Sequence, residues 1–271
     1  MGVGFVTFQR KNEKTLSLFV LLMYIDIKIR AKAKMSNSYF KFKQFTVYQH
    51  KCAMKVGTDG VLLGAWADIS YAKTVLDVGT GTGLIALMLA QRNQEAGITA
   101  IDLDEHCVLQ AMENVENSPF SGRISVEHRS FQAFAEQSKM KFDAIVSNPP
   151  YFANSLLSPD NQRSTARHTV FLSLEELLQC AKACLAKNGK VSLILPADQE
   201  STLQEMACNT GFYVQRKTLV RPLPHTSPKR MLVELSENKS EPIIDEIVIE
   251  EARHKYTSRF STLVKDFYLY L

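Results

Sequence analysis

Apolar residues along the chain form short runs that alternate, from Thr74 onward, with longer segments in which they recur at helical spacing. The short runs predict seven strands, at residues 74–78, 98–103, 124–127, 142–147, 190–195, 212–220 and 230–235. The longer segments predict helices at residues 83–92, 105–117, 174–186 and 199–209. Because strands that alternate with helices form parallel sheets, the pattern indicates an α/β doubly wound fold with a seven-stranded, mostly parallel sheet.

Two stretches depart from this alternation. Residues 221–228, RPLPHTSP, separate the last two predicted strands and contain three prolines, which exclude a crossover helix. These two strands are therefore predicted to form an antiparallel hairpin that ends the sheet. Residues 148–170 are polar and aperiodic, and a segment of that length without periodicity is typical of a functional loop.

The composition is that of a folded domain with a substantial core. Of 271 residues, 45% are apolar and 22% are charged, which suits one α/β domain and excludes a wholly disordered chain. The formal charge of +4 permits contact with nucleic acid without indicating it. The five cysteines form no C-x-x-C pair, and any disulfide pairing leaves one over, so we expect reduced thiols in the cytoplasm.

Residues 1–34 precede the predicted domain and are interpreted separately. Within them, residues 16–25 form an apolar run after three basic residues, as in a signal peptide. The run is too short to span a bilayer as a helix, and we expect no membrane association. We predict that residues 1–34 are an N-terminal extension without a part in the chemistry, or the product of a misassigned start, and that residues 35–271 form the functional domain.

A glycine-rich turn follows the first predicted strand. It reads DVGTGTG from Asp77 to Gly83 and leads into an apolar helix. Glycines at alternate positions allow a strand to turn sharply into a helix while a ligand lies directly against the backbone. The turn therefore predicts a cofactor-binding loop, with Asp77, Gly79, Thr80, Gly81 and Gly83 as contacts.

The type of cofactor is indicated by two departures from dinucleotide-binding loops. A nicotinamide site favours G-x-G-x-x-G with a diphosphate at the helix N-terminus, whereas the spacing here is G-x-G-x-G and Leu84 stands at the third glycine position. The Asp77 carboxylate would repel a diphosphate but attract a cation. The ammonium group of S-adenosylmethionine suits such a site better than a dinucleotide does.

An acidic residue, Asp102, ends the second predicted strand about twenty residues past the glycine loop. A carboxylate at this position can accept hydrogen bonds from both ribose hydroxyls of the cofactor. Leu103, the next residue, would then flank the adenine. The alternative is that Asp102 caps the helix that follows it.

The fourth predicted strand ends in the tetrapeptide Asn148-Pro149-Pro150-Tyr151. Ligands of open α/β sheets bind at the carboxyl ends of strands, so we expect this tetrapeptide beside the glycine loop. The Asn148 side-chain oxygen and the Pro149 carbonyl can each accept an N–H bond from an exocyclic amino group, which aims the nitrogen lone pair at a methyl donor. The prolines fix the backbone, and Tyr151 offers a flat face to an extruded base. The alternative is a proline turn that merely closes the strand.

These residues carry a resemblance to known families. The glycine loop followed by N-P-P-Y resembles the amino-group methyltransferases with an N-P-P-[FY] motif. More narrowly, five segments of the chain resemble the bacterial tRNA1(Val) adenosine-37 N6-methyltransferase family. They are residues 45–66 (FTVYQHKCAMKVGTDGVLLGAW), 147–151, 162–163, 166–167 and 267–269. The resemblance covers almost all of residues 40–271. It implies a Rossmann-like methyltransferase fold, S-adenosylmethionine as donor, and N6 of the adenosine beside the anticodon of one valine tRNA as acceptor.

The same resemblance implies further cofactor contacts. In this family the segment before the first strand folds over the cofactor, and here Lys55, Thr58 and Asp59 are the polar residues that would line it. A helix cap at Thr58 or Asp59 and a solvated Lys55 are the alternatives. Many relatives place an acidic residue after the third strand to bind the adenine amino group of the cofactor. This chain has Ser130 there, whose hydroxyl can accept one hydrogen bond.

Basic residues near the predicted site are expected to hold the anticodon stem-loop of the tRNA by its phosphates. They are Arg163, Arg167, His168, Arg216, Lys217, Arg221, Lys229 and Arg230. Solvated surface is the alternative for each of them alone. The histidines lack the spacing of metal ligands, so no metal is expected. The oligomeric state stays open, with a monomer favoured.

Other functions fit parts of the pattern. The tetrapeptide alone would also suit DNA adenine, a guanine amino group of ribosomal RNA or a protein glutamine, because each presents a planar NH2 group. A catalytically silent RNA-binding module would keep the fold without needing Asn148 and Tyr151, and an oxidoreductase is disfavoured by Leu84 and Asp77. The sequence as a whole therefore predicts a cytoplasmic tRNA adenine N6-methyltransferase.

Overall fold

An eight-stranded sheet forms the centre of the computed structural model, which describes residues 37–150 and 172–271. The strands are β1 (Tyr39–Lys41), β2 (Thr46–Tyr48), β3 (Thr74–Val78), β4 (Gly97–Asp102), β5 (Ile124–His128), β6 (Phe142–Ser147), β7 (Leu185–Pro196), β8 (Tyr213–Arg221), β9 (Arg230–Ser236), β10 (Ile243–Val248), β11 (Glu250–Ala252) and β12 (Lys255–Tyr256). The large sheet has the order β10-β8-β9-β7-β6-β3-β4-β5. β1 with β2, and β11 with β12, form two antiparallel ribbons.

Helices cover both faces of this sheet. They are α1 (Thr58–Trp66), α2 (Leu84–Arg92), α3 (Glu105–Glu116), α4 (Phe131–Gln137), α5 (Leu174–Cys184), α6 (Glu200–Thr210) and α7 (Ser258–Val264). Successive strand residues point to opposite faces, so two buried clusters form. Val75 and Ile194 pack with α1, α2 and α7 on one face, while Leu76 and Leu193 pack with α4, α5 and α6 on the other.

The strand pairing confirms the predicted α/β doubly wound fold, with one correction. β5, β4, β3, β6 and β7 pair in parallel, and β8 and β9 form the predicted antiparallel hairpin. The hairpin does not end the sheet, because β9 lies between β7 and β8 and β10 pairs with β8 at the edge. The predicted count of seven strands is wrong by one. In β10 only Ile247 is buried, so the sequence there lacks the alternation that predicts a strand.

One edge of the sheet collects the carboxyl ends of the parallel strands, and we call it the carboxyl edge. β3 lies between β6 and β4, so the residues that follow Val78, Ser147 and Asp102 come together there. β9 runs in the opposite direction, and its first residue, Arg230, pairs with Pro196 at the end of β7. The connector between β8 and β9 therefore lies at the same edge.

Some predictions concern residues outside the part of the chain that the structure describes. The predicted extension at residues 1–34 is among them, as are Tyr151, Arg163, Arg167 and His168. The domain boundary at residue 35 therefore stays a prediction. Each helix in the described part of the chain is too short or too polar to cross a lipid bilayer.

Candidate cofactor and acceptor site

The glycine loop between β3 and α2 has the backbone that its sequence predicts. Gly79, Gly81 and Gly83 have φ values of 70°, 57° and 80°, in the left-handed region that side chains other than glycine disfavour. The amides of Gly79 and Thr80 donate to the Ile101 carbonyl at 2.9 and 3.0 Å, which ties the loop to β4. A Cβ on Gly79 or Gly81 would meet no described atom within 4 Å. The loop thus exposes backbone that no described side chain covers, as a cofactor-binding loop requires.

Asp77 lies beneath this loop with no solvent exposure. Its Oδ2 accepts hydrogen bonds from Thr80 Oγ1 at 2.6 Å and from the Ala86 amide at 3.1 Å. Its Oδ1 has no partner among the described residues. Burial raises the pKa of the Asp77 carboxyl to about 7, although the two hydrogen bonds act in the opposite direction. A buried carboxylate oxygen without a donor suits a cationic group such as the ammonium of S-adenosylmethionine.

Asp102 faces the glycine loop from the end of β4. Its Oδ2 accepts the Gly81 amide at 2.8 Å, and its Oδ1 accepts the Asp104 amide at 2.9 Å. The residue that caps α3 is Asp104, which accepts the His106 amide at 2.8 Å. The helix-cap alternative for Asp102 is therefore wrong, and contact of its carboxylate with a cofactor ribose remains a prediction. Leu103 follows with 47% of its surface exposed, and its place beside the adenine remains a prediction.

The end of β6, from which Asn148, Pro149 and Pro150 continue, is held beside the glycine loop by Ser147. The buried Ser147 hydroxyl donates to the Val78 carbonyl at 2.8 Å and joins the ends of β6 and β3. Asn148 is half-buried, Pro149 is buried and Pro150 is exposed. The structure thus brings Asn148 and Pro149 to the cofactor loop, as predicted from the position of the motif at a strand end.

The segment before β3 reaches the loop through α1. α1 begins at Thr58 after Gly57, and no side chain caps it, so the helix-cap alternative for Thr58 and Asp59 is wrong. A Cβ on Gly60 would lie 3.0 Å from Leu84 at the start of α2, which places the first turn of α1 next to the glycine loop. Asp59 accepts a hydrogen bond from Arg230 Nε at 2.7 Å. Contacts of Lys55, Thr58 and Asp59 with a cofactor remain predictions.

Ser130 has a structural partner in addition to its predicted role. It caps α4, where its hydroxyl oxygen accepts the Ala133 amide at 3.2 Å. The neighbouring Arg129 amide donates to the Asp102 carbonyl at 2.9 Å, so Ser130 does lie near the predicted adenosine pocket. A contact with the adenine amino group remains a prediction.

The expected rim of basic residues is only partly assembled. Arg216 faces Glu234 in the sheet, four residues and roughly 13 Å from Val220 at the carboxyl edge. Its guanidinium stacks over Trp66, 3.7 Å from the ring centroid, so its assignment to the rim is wrong. Lys217, the next residue of β8, pairs with Glu200.

At the carboxyl edge itself, the remaining basic residues differ from one another. Arg221 pairs with Glu246 at 3.0 Å and Arg230 with Asp59 at 2.7 Å. Lys229 is exposed and forms no ion pair with the described residues. Basic residues that lie close together in the sequence thus differ in whether an acidic side chain from a distant part of the chain pairs with them.

Sequence reasoning misses three polar residues of this region. They are Gln110 and Asn114 on α3, both without solvent exposure, and Gln49 before α1, which is 5% exposed. A signal is present, because Gln110 and Asn114 are four residues apart on the buried stripe of a helix, where apolar residues are the norm. Sequence alone shows the anomaly without showing the partner.

A doubly wound sheet with a glycine loop, a carboxylate after the next strand and an N-P-P turn together define a Rossmann-like methyltransferase. Residues 56–207 match the family model for the methyltransferase small domain. The chain is 49% identical to a protein of Parabacteroides distasonis and 48% identical to one of Trichodesmium erythraeum, each named tRNA1(Val) (adenine(37)-N6)-methyltransferase. Both matches cover 87% of this chain and 99% of the relative. The chain therefore belongs to this methyltransferase family.

Solved structures share the fold. A predicted O-methyltransferase from Agrobacterium tumefaciens superimposes with a TM-score of 0.60 at 22% identity, over 77% of this chain and 96% of that one. A transferase-like protein from Pyrococcus horikoshii superimposes with a TM-score of 0.52 at 12% identity, over 74% and 72%. At these identities the likeness concerns the fold alone.

Proposed function

We propose that this protein transfers the methyl group of S-adenosylmethionine to N6 of the adenosine at position 37 of tRNA1(Val). The observation that carries the proposal is the N-P-P turn held by Ser147 beside the glycine loop, in a chain 49% identical to a relative that bears this activity in its name. The proposed place of action is the cytoplasm, where tRNA is available.

The residues present fit the cofactor. S-adenosylmethionine supplies a methyl group on a sulfonium centre. Among the described residues, Gly79 and Gly81 leave room for it, and Oδ1 of Asp77, which has no partner there, suits its ammonium group. Asp102, which accepts the Gly81 amide of the loop, offers a carboxylate to its ribose hydroxyls. Each of these groups binds and orients the donor, and none needs to gain or lose a proton during methyl transfer.

The acceptor chemistry falls to Asn148 and Pro149. An exocyclic amine of adenine is a weak nucleophile because its lone pair is delocalised into the ring. The Asn148 side-chain oxygen and the Pro149 carbonyl accept the two N–H bonds, which turns the lone pair out of conjugation and toward the donor. The proton lost after transfer can leave to water, since the methylated ammonium is strongly acidic. Tyr151, by its sequence position, would stack on the extruded base.

The affinity for S-adenosylmethionine is expected to rise with pH to a maximum between about pH 7 and pH 8. Burial raises the pKa of Asp77 to about 7, so below that pH the carboxyl must lose a proton before it can attract the ammonium group. Affinity should fall by up to about tenfold for each pH unit below about 7 and fall again above about 8, where the cofactor's own amino group deprotonates. Calorimetric titration across this range measures the profile.

The Asp77→Asn variant is the matching comparison for this profile. Its carboxamide would keep an acceptor for Thr80 but carry no proton to release, so binding should be weaker and lack the acidic limb while retaining the alkaline one. An acidic limb of the same slope in the variant would show that another group is responsible. Either result is independent of the methyl acceptor.

Methyl transfer to defined acceptors tests the function itself. With labelled S-adenosylmethionine, the protein should label a tRNA1(Val) transcript and leave unlabelled the same transcript with guanosine at position 37. Label in DNA, ribosomal RNA or a glutamine peptide instead would reassign the acceptor. Cofactor binding without label in any of them would support the RNA-binding module.

The proposed partner surface is the carboxyl edge, where the anticodon stem-loop would approach. Lys229 is its exposed basic residue with no ion pair in the described chain, and an ammonium in water can bind a phosphate without first breaking a salt bridge. Arg221 and Arg230 already pair with carboxylates. Their contribution to RNA binding is therefore expected to be smaller than that of Lys229.

A further inference from the structure

The chain between β2 and α1, residues 49–57, crosses the amino-terminal half of α3, and we call it the cover segment. α3 begins three residues after Asp102, the carboxylate proposed to bind the cofactor ribose. The cover segment also carries Lys55 and leads directly into Thr58 and Asp59. The contacts that attach the cover segment to α3 therefore determine its position.

Asn114 is the central attachment, with no solvent exposure. Its Oδ1 accepts the Tyr48 amide and its Nδ2 donates to the Tyr48 carbonyl, both at 2.8 Å. The second Nδ2 proton donates to the Thr82 carbonyl at 2.8 Å. Thr82 lies between Gly81 and Gly83. One buried carboxamide thus joins the last residue of β2, immediately before the cover segment, to the glycine loop.

Two more carboxamides hold the cover segment itself. Gln110, one turn before Asn114 and equally buried, accepts the Lys51 amide through its Oε1 at 3.1 Å. Gln49 accepts the Val56 amide at 2.8 Å. Of these contacts, only those of Asn114 reach the glycine loop.

We propose that Asn114 is a positioning residue, which couples the glycine loop to the cover segment so that the cofactor pocket closes as a unit. The inference rests on the proposed cofactor site. A shift of the loop on binding a ligand would carry the Thr82 carbonyl with it, and the Asn114 carboxamide would transmit that shift to Tyr48. A buried carbonyl without a hydrogen bond costs free energy. The glycine loop and the cover segment are therefore held in a single arrangement relative to each other.

The variant Asn114→Asp tests the coupling. It keeps the shape and the acceptor for the Tyr48 amide but loses both donors, which leaves the carbonyls of Thr82 and Tyr48 without partners. The Kd and KM for S-adenosylmethionine should rise about tenfold or more, while kcat at saturating cofactor should stay within about threefold of wild type. Hydrogen exchange should show that cofactor no longer protects residues 46–57.

Asn117→Asp is the matched control on the same helix. The Asn117 side chain is exposed and, within the described part of the chain, donates only to the Glu113 carbonyl at 2.8 Å, so its variant should behave as wild type. Gln110→Met releases Lys51 but keeps the contacts of Asn114, so exchange in residues 46–57 should rise while the cofactor still protects them. This second variant keeps the test usable if Asn114→Asp folds poorly.

The outcomes separate this inference from the proposed function. If Asn114→Asp lowers Tm but cofactor still protects residues 46–57 with an unchanged KM, the residue is merely structural and the inference is wrong. It is also wrong if Gln110→Met, which keeps the contacts of Asn114, abolishes cofactor protection of residues 46–57, because the coupling would then not depend on Asn114. A wild-type protein that binds no S-adenosylmethionine would instead overturn the cofactor assignment.

Discussion

Replacement of Asn148 with alanine is expected to lower kcat by about 10²–10³-fold, the usual cost of removing one preorganised polar contact from a transition state. The side-chain oxygen is proposed to accept one N–H bond of the target amine, and without it the lone pair stays in the ring. The Kd for S-adenosylmethionine should not change, because the side chain is proposed to contact the acceptor and not the donor. Single-turnover transfer and calorimetry measure the two quantities.

Asn117→Ala serves as the control for this variant, since the Asn117 side chain is exposed and lies at the C-terminal end of α3. It should retain wild-type turnover. If Asn148→Ala keeps most of its turnover, or loses cofactor binding in parallel, then Asn148 does not act on the acceptor amine. In the second case its half-buried side chain would instead belong to the donor site.

A second large effect is expected for Asp102→Asn, which should weaken S-adenosylmethionine binding by about 10–100-fold. Hydrogen bonds to a charged group contribute about 1.5–3 kcal/mol, and the amide can no longer accept from both ribose hydroxyls. The new side chain still offers one oxygen to the Gly81 amide, so the loop should keep its fold. Calorimetry gives the affinity, and thermal unfolding checks that the fold is intact.

Asp104→Asn is the matched comparison, two residues further on. Asp104 caps α3 by accepting the His106 amide at 2.8 Å, and asparagine caps helices as well as aspartate does. Cofactor affinity should therefore stay near wild type. Equal losses in the two variants would point to a general effect of charge at this end of α3, and would remove the specific role from Asp102.

The parts of the site that sequence predicts best are those encoded by local backbone chemistry. Glycines at positions 79, 81 and 83 predict a turn with left-handed backbone conformation, because other residues avoid that conformation. All three glycines adopt it. The same holds for the N-P-P turn, whose place at a strand end follows from the apolar run before it. The alternation of strands and helices likewise predicts the parallel core of the sheet.

Contacts between distant segments account for what sequence reasoning misses. Asp59 and Arg230 are 171 positions apart and Asn114 and Tyr48 are 66 apart, so neither pairing leaves a local pattern. Charge suggests exposure and predicts Arg216 in an RNA-binding rim, yet its guanidinium stacks on Trp66. A side chain with a long apolar stem can satisfy its charged head inside a fold, and the sequence does not show which arginine does so.

The most direct test of the central claim is mass spectrometry of nucleosides from purified valine tRNA of cells that have, or lack, this protein. We expect N6-methyladenosine at position 37 to disappear on deletion, to return with the wild-type protein and with Asn117→Ala, and not to return with Asn148→Ala. Persistence of N6-methyladenosine at position 37 in the deletion strain would contradict the account and assign the methyl group to another acceptor.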